Sequence, residues 1–297
     1  MDRLKDFLTE KNISFTENKK ASEFTSFRIG GNCFVVYPKS EDEIISTALY
    51  CIENGVRYMV LGCCSNVLIS DNGYNGVLIL TQFINSVTVE DETVKAQCGA
   101  TLISVCKAAL KNSLSGVEFA YGIPGSVGGA VFMNAGAYNG EIKDVVTTVR
   151  AYSVKDGKII ELNNEECGFG YRKSLFADTN YIILFAELKL KKADKNDIKA
   201  TMDDLLGRRK AKQPLNYPSA GSAFKRYPGR YTGQMIDEAG LKGYSVGGAQ
   251  VSEKHAGFII NKGGATAKDV KELIEHIQNV IKEREGVLIE PEIRVIE

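Results

Sequence analysis

Tyr121-Gly-Ile-Pro-Gly-Ser-Val-Gly-Gly-Ala-Val-Phe-Met-Asn-Ala-Gly-Ala137 decides how the rest of this chain is read. Gly122, Gly125, Gly128, Gly129 and Gly136 fall within these seventeen residues, and Pro124 fixes one backbone angle. Glycines this dense let main-chain N–H groups approach a ligand with no Cβ in the way. Successive N–H groups in such turns form an anion-binding concavity. Ser126 is placed to cap a helix running through Met133, whose N-terminus would also face the anion. The natural occupant is a pyrophosphate. A surface loop is the plain alternative. The apolar run Val127, Ala130, Val131, Phe132, Met133 argues for burial instead.

Working outward, 297 residues with 44% apolar side chains supply cores for two or three domains. Charge is balanced, 37 basic against 37 acidic, with no long run of either sign. Neither nucleic acid nor a membrane surface is therefore expected as the main partner. No apolar run reaches the roughly 18 residues that a transmembrane helix needs. The charged N-terminus MDRLKDFLTEKN is unlike a signal peptide. Seven cysteines (33, 51, 63, 64, 98, 106, 167) form no CxxC pair. They imply neither a disulfide framework nor a zinc site, no metal is expected, and a cytoplasmic setting fits.

In chain order, Leu4, Phe7, Leu8 and Ile13 describe a short amphipathic helix and its exit, and Cys33–Tyr37 a strand. Ser40 and Glu43 form a capping box for a helix to about Glu53. Strands are predicted at Arg57–Leu61, Val67–Ser70, Val77–Leu80, Ser86–Val89 and Thr93–Gln97, then a helix at Thr101–Asn112. Val145–Val154 and Lys158–Glu161 flank an Asp156-Gly157 hairpin turn. Glu166–Phe176 reads as an aromatic, basic loop before a strand at Tyr181–Leu190. The texture changes near 193–196. This places an α+β region at 1–195, in halves of roughly 1–75 and 76–195, and a second α+β domain at 196–297. In the latter, helices are predicted at Asp197–Lys212, Thr232–Ala239 and Thr266–Glu285, the last capped by Thr266 with Asp269. Val246–Val251, Gly257–Asn261 and Val287–Val295 read as strands, the last interrupted by Pro291.

Together these segments resemble the family of UDP-N-acetylenolpyruvoylglucosamine reductases. The resemblance is carried, in order, by Thr25-Ser-Phe-Arg-Ile-Gly-Gly31, Leu61-Gly62 through Ser65-Asn66, Gly122–Ala130 and Asn134-Ala-Gly-Ala137. It continues through Tyr171-Arg172, Gly221-Ser-Ala-Phe-Lys225, Gly240-Leu-Lys-Gly243 and Glu290-Pro-Glu-Ile-Arg294. It implies a two-subdomain FAD-binding fold of the vanillyl-alcohol-oxidase type plus a C-terminal α+β substrate domain. It implies FAD as cofactor, NADPH as hydride-donating cosubstrate, and UDP-GlcNAc-enolpyruvate as substrate. With little room for an insertion between Phe176 and Tyr181, the chain resembles the shorter family type, which lacks a tyrosine-bearing loop. A monomer or weak dimer is expected.

Carried over by motif, the catalytic residues are Ser222 as proton donor, Arg172 on the substrate carboxylate and Glu292 on its other side. Lys225 is near Ser222 in sequence. Cofactor contacts fall to Arg28, Gly62, Ser65, Asn66, Gly122, Ile123, Pro124, Gly125, Ser126, Gly128, Gly129, Asn134, Gly136 and Ala137. Arg208, Arg209 and Lys254 are candidates for the UDP diphosphate, while His255 and His276 read as structural. Cys64 stands where the family carries glycine, and a negative φ would accommodate it. Adjacent Cys63 and Cys64 also raise the question of a redox role. Two other readings compete. One is an oxidase of the same fold, although neither histidine lies in the cofactor half to anchor a flavin. The other is a nucleotide-sugar binder without catalysis, which would be colourless.

Overall fold

Helix starts lie where a short polar side chain can accept an amide orphaned by the first turn. In the computed structural model, which describes residues 1–177 and 180–297, these are the expected positions. Ser40 accepts the N–H of Glu43 ahead of helix Glu41–Glu53. Thr101 accepts that of Ser104 ahead of Leu102–Lys111, and Ser126 that of Gly129 ahead of Val127–Met133. The other half of the box at Ser40 is displaced by one residue: the Glu43 carboxylate takes the N–H of Lys39 at 2.7 Å. At Thr266 and Asp269 both halves are present, opening helix Ala267–Glu285.

The residues form two units from interleaved segments. The first is Met1–Thr16, Val35–Cys63 and Gly76–Arg208; the second is Glu17–Phe34, Cys64–Asn75 and Arg209–Glu297. These differ from the contiguous spans 1–195 and 196–297 for a physical reason. Phe27, Ile29 and Leu68 are buried in one apolar cluster with Ile236, Leu273, Ile277 and Ile293, so their segments group with the C-terminal residues.

The first unit holds a five-stranded antiparallel sheet in the order Lys158–Asn163, Val146–Ser153, Tyr181–Lys189, Thr93–Gln97, Val87–Glu90. It also holds Tyr58–Leu61 and Val77–Leu80, paired in parallel. These belong to a four-stranded sheet whose other strands, Asn32–Tyr37 and Ser14–Lys20, run on into the second unit's segments. Helix Leu102–Lys111 buries Leu102, Val105, Cys106 and Ala109, the expected face. The short connection expected between Phe176 and Tyr181 contains Asp178 and Thr179, which lie outside the described residues.

The second unit has a four-stranded sheet, Ser219–Ser222, Phe258–Asn261, Ala249–Val251, Ser245–Val246. Helix Ala267–Glu285 supplies Val270, Leu273, Ile274, Ile277 and Ile281 to its core. Two expectations are corrected here. The strand predicted at 246–251 is a hairpin, with Ser245–Val246 turning back on Ala249–Val251. Gly247 has φ 52°, and a Cβ there would meet the Asp269 carboxylate at 2.4 Å, so the chain bends where only glycine fits. The strand predicted at 287–295 contracts to Arg294–Ile296, parallel to Val67–Ile69. Pro291 has no N–H to donate and makes only an isolated bridge with Phe224. Among the described residues, no helix is long and apolar enough to cross a membrane.

Asp269 gives this unit an acid-sensitive joint. Its carboxyl is held below the usual aspartate value first by the Thr266 N–H and also by that of Gly248, against the raising effect of burial. Because the folded value lies below the unfolded one, the stabilisation is complete above the ordinary aspartate pKa of about 4. It is lost as pH falls through the lowered folded value. Urea midpoints measured between neutral pH and pH about 3 should therefore fall more steeply for the wild type than for Asp269→Asn.

Candidate active site

The glycine-rich stretch divides into two halves by what its main-chain groups do. In helix Val127–Met133 the first amides are already engaged. The Val127 N–H donates to the Ala100 carbonyl at 2.8 Å and the Gly128 N–H to that of Cys98 at 2.8 Å. The Gly129 N–H donates to Ser126 Oγ at 3.2 Å. The helix N-terminus therefore does not face an anion as the sequence suggested, because the protein itself satisfies it. Just upstream, among the described residues, the amides of Gly122, Gly125 and Ser126 have no protein partner. Gly122 and Gly125 are half-exposed, and Pro124 between them is exposed. A Cβ built at Gly125 would meet nothing closer than 3.7 Å, so packing alone does not demand glycine there. Unpartnered amides beside an uncrowded glycine suit a phosphate. The residues of this loop therefore fit the pyrophosphate of a dinucleotide, with Ile123 half-exposed beside them.

Gly62 belongs to the same construction. A Cβ there would lie 1.9 Å from Ser126 Oγ, so the end of strand Tyr58–Leu61 comes this close only as glycine. Gly128 is likewise held tight, with a Cβ 3.1 Å from Cys98. Gly136 and Ala137 form a two-residue strand paired with Gly140–Glu141.

Arg172 rests on this second half. Its Nη2 donates to the Gly136 carbonyl at 3.1 Å, and its guanidinium lies 5.0 Å from the Tyr171 ring centroid. Its backbone is left-handed at φ 52°, inside a turn closed by reciprocal N–H to carbonyl bonds between Gly170 and Lys173, 2.9 and 3.2 Å. Asn134 is fully buried and bonds Glu141, Lys143 and Gly170. Sequence reasoning missed Glu141 and Ser174. Burial pushes the Glu141 carboxyl up, but Lys143 and Asn134 outweigh it and hold it below the usual range. Ser174 Oγ donates to the Phe132 carbonyl at 2.7 Å. Neither residue carries a motif, so only the folded backbone shows their part.

Ser222 and Glu292 lie in the second unit. Ser222 ends strand Ser219–Ser222, whose register against Phe258–Asn261 shifts between Ser219 and Ser222. Gly221, at φ 79°, produces that shift and re-aims the residue after it. The Glu292 N–H donates to the Ala223 carbonyl at 2.8 Å, which brings the two expected catalytic segments side by side. Asn66 locks this pairing: its Nδ2 donates to the Glu292 carbonyl at 3.1 Å and its carbonyl accepts the Arg294 N–H at 3.1 Å. Ser65 beside it is half-buried. Arg28 is exposed at φ 54° between buried Phe27 and Ile29, so its side chain points outward.

Other expectations are narrowed by geometry. Lys225 Nζ sits 3.0 Å from Glu290 Oε2, so its charge is committed to that carboxylate and not simply to Ser222. Arg208 pairs with Asp204 at 2.8 Å, and Lys254 donates to the Lys210 carbonyl at 2.7 Å. His255 Nδ1 accepts the Gly257 N–H at 3.1 Å, and His276 stacks on Tyr244 at 4.2 Å. Cys64 is corrected: its φ is 49°, left-handed, which explains the family's glycine there. Burial raises the Cys63 thiol, so little thiolate forms for redox chemistry. Cys98 and Cys106, each pushed up to about 12 mainly by burial, are inert core thiols.

Replacing Gly62 tests the loop directly. Gly62→Ala should force Ser126 off its cap, costing about 1 kcal/mol of stability. It should also weaken flavin retention, measured as bound flavin per chain after gel filtration. Unchanged flavin content and stability would contradict the geometry.

Comparisons with known proteins agree with this construction. The model of the UDP-N-acetylenolpyruvoylglucosamine reductase C-terminal domain matches residues 213–296, and that of a FAD binding domain matches residues 33–163. The UDP-N-acetylenolpyruvoylglucosamine reductase of Clostridium perfringens (strain SM101 / Type A) is 47% identical over 294 residues, 99% of this chain and 96% of its own. That of Caldanaerobacter subterraneus subsp. tengcongensis is 46% identical over 297 residues, 100% of this chain and 97% of its own. The crystal structure of the reductase from Thermus caldophilus, 34% identical, aligns at a TM-score of 0.82 over 96% of this chain and 100% of its own. The α+β architecture is thus the FAD-binding fold with its C-terminal domain, and the chain belongs to the UDP-N-acetylenolpyruvoylglucosamine reductase family of FAD-containing oxidoreductases.

Proposed function

We propose that this chain uses NADPH to reduce the enolpyruvyl group of UDP-GlcNAc-enolpyruvate to the lactyl ether of UDP-N-acetylmuramate, a step of peptidoglycan precursor synthesis. The observation that carries this reading is full-length similarity to reductases of that name. FAD, when bound, supplies a carrier that takes hydride from NADPH and gives it to the enolpyruvyl methylene carbon. Addition there leaves negative charge on the neighbouring carbon, shared with the substrate carboxylate. The amides of Gly122, Gly125 and Ser126 hold the cofactor's phosphates. Arg28, Gly62, Ser65 and Asn66 complete the cofactor-binding set, with the remaining glycine-stretch residues supporting it.

Arg172 pairs with the substrate carboxylate, where a guanidinium's planar fork gives orientation as well as charge. Ser222 delivers a proton to the carbon beside that carboxylate and regains one from water. Glu292 works on the carboxylate's other side, protonated or through a shared proton, since two bare carboxylates repel. The spans 1–195 for cofactor and 196–297 for substrate remain part of this reading, with segments 17–34 and 64–75 added to the core of the latter. A cytoplasmic monomer or weak dimer completes it.

Ser222→Ala separates the two half-reactions. NADPH should still bleach the flavin at near the wild-type rate. Reoxidation by the enolpyruvyl sugar should slow by about 10²–10⁴-fold, the range of a lost general acid. Loss of the first half-reaction with the second intact would remove Ser222 from this role.

A further inference from the structure

Asn134 has a use beyond the cofactor contact expected from its motif. It closes helix Val127–Met133 in the left-handed conformation, φ 42°, and is completely buried. Its Nδ2 donates to Glu141 Oε2 at 3.1 Å and to the Gly170 carbonyl at 2.9 Å. Its Oδ1 accepts the Lys143 N–H at 3.0 Å. Both amide hydrogens and the oxygen are therefore occupied by protein. The orientation is fixed by chemistry: a flipped amide would set its oxygen against a carbonyl and a carboxylate, and its NH₂ against an N–H.

The same residue meets the Arg172 turn from below. Gly170, whose carbonyl it holds, opens that turn, and Arg172 sits within it at φ 52°. The guanidinium lies over the chain leaving Asn134: Nη2 donates to the Gly136 carbonyl at 3.1 Å, and Nη1 is 3.5 Å from the Asn134 carbonyl. Ser174 pins the far side of the turn to Phe132. We infer that Asn134 is a positioning residue for Arg172: its buried amide fixes the Gly170–Lys173 turn, and with it the angle at which the guanidinium meets the substrate carboxylate. This rests on the reading that Arg172 receives that carboxylate. A left-handed, non-β-branched residue with two donors and one acceptor is needed here, and asparagine alone among the common side chains supplies that set at this length.

The test uses the flavin-loaded enzyme. Asn134→Asp keeps shape and acceptor but loses both donors and faces Glu141 with a second carboxylate. Asn134→Gly keeps the left-handed backbone and serves if Asn134→Asp does not fold. Flavin content and reduction by NADPH should stay within about two-fold of wild type, since neither depends on Arg172. The KM for the enolpyruvyl sugar should rise about ten- to a hundred-fold, the scale expected for a misplaced binding group. In an Arg172→Ala background the same substitution should change that KM by less than about two-fold, because the positioned group is gone. An unchanged KM overturns the inference. So does an equal effect in both backgrounds, which is the mark of general loosening. If Arg172→Ala itself leaves the sugar's KM and reoxidation rate untouched, the role of Arg172 fails first and takes the inference with it. That result is distinguishable, because it appears in the single Arg172 variant.

Discussion

A buried main-chain amide must be bonded to something, and residues 121–137 divide on that rule. Downstream of Ser126 the first-turn N–H groups of the helix are satisfied by Ala100, Cys98 and Ser126 itself. Upstream, those of Gly122, Gly125 and Ser126 are not satisfied by protein among the described residues. One short stretch thus presents donors to a ligand at one end and, at the other, offers carbonyls to Arg172. Cofactor binding and carboxylate recognition share a backbone, and Ser126 stands at the junction.

The second unit follows the same economy. Pro291 cannot donate, so the C-terminal strand is short, yet its neighbours Glu290 and Glu292 both bond the loop that carries Ser222. Asn66 ties that loop's partner strand to the segment 64–69 through two bonds. The arrangement makes Glu292 and Ser222 parts of one small backbone network, as proton handling on adjacent groups requires. Lys225, taken up by Glu290, leaves the acidity of Ser222 to be set by other groups.

Much of this was legible in the sequence where a local rule acts alone. Ser40, Ser126 and Thr266 cap the helices they were expected to cap, and the apolar faces of 102–111 and 267–285 are buried as their period implies. Strand Ser14–Lys20 was not legible: its sequence SFTENKK places only Phe15 and Lys19 out of full exposure, as suits the outer position it takes in its sheet. The hairpin at Gly247-Gly248 was read as continuous because short flanking strands mimic one longer run. Interleaving of the two units was hidden for a different reason. Phe27, Ile29 and Leu68 declare that they are buried, but nothing local declares in which core. Of the site, the glycines and motif residues could be named, whereas the buried bonds of Asn134, Glu141 and Ser174 depend on residues brought together only by folding.

Anaerobic addition of NADPH, followed by UDP-GlcNAc-enolpyruvate, measures the central claim most directly. The purified chain should carry a flavin absorbance band that NADPH bleaches and the enolpyruvyl sugar restores, one band per active site. A colourless chain that cannot take up FAD, or a bleached flavin restored by air and not by the sugar, would contradict the account.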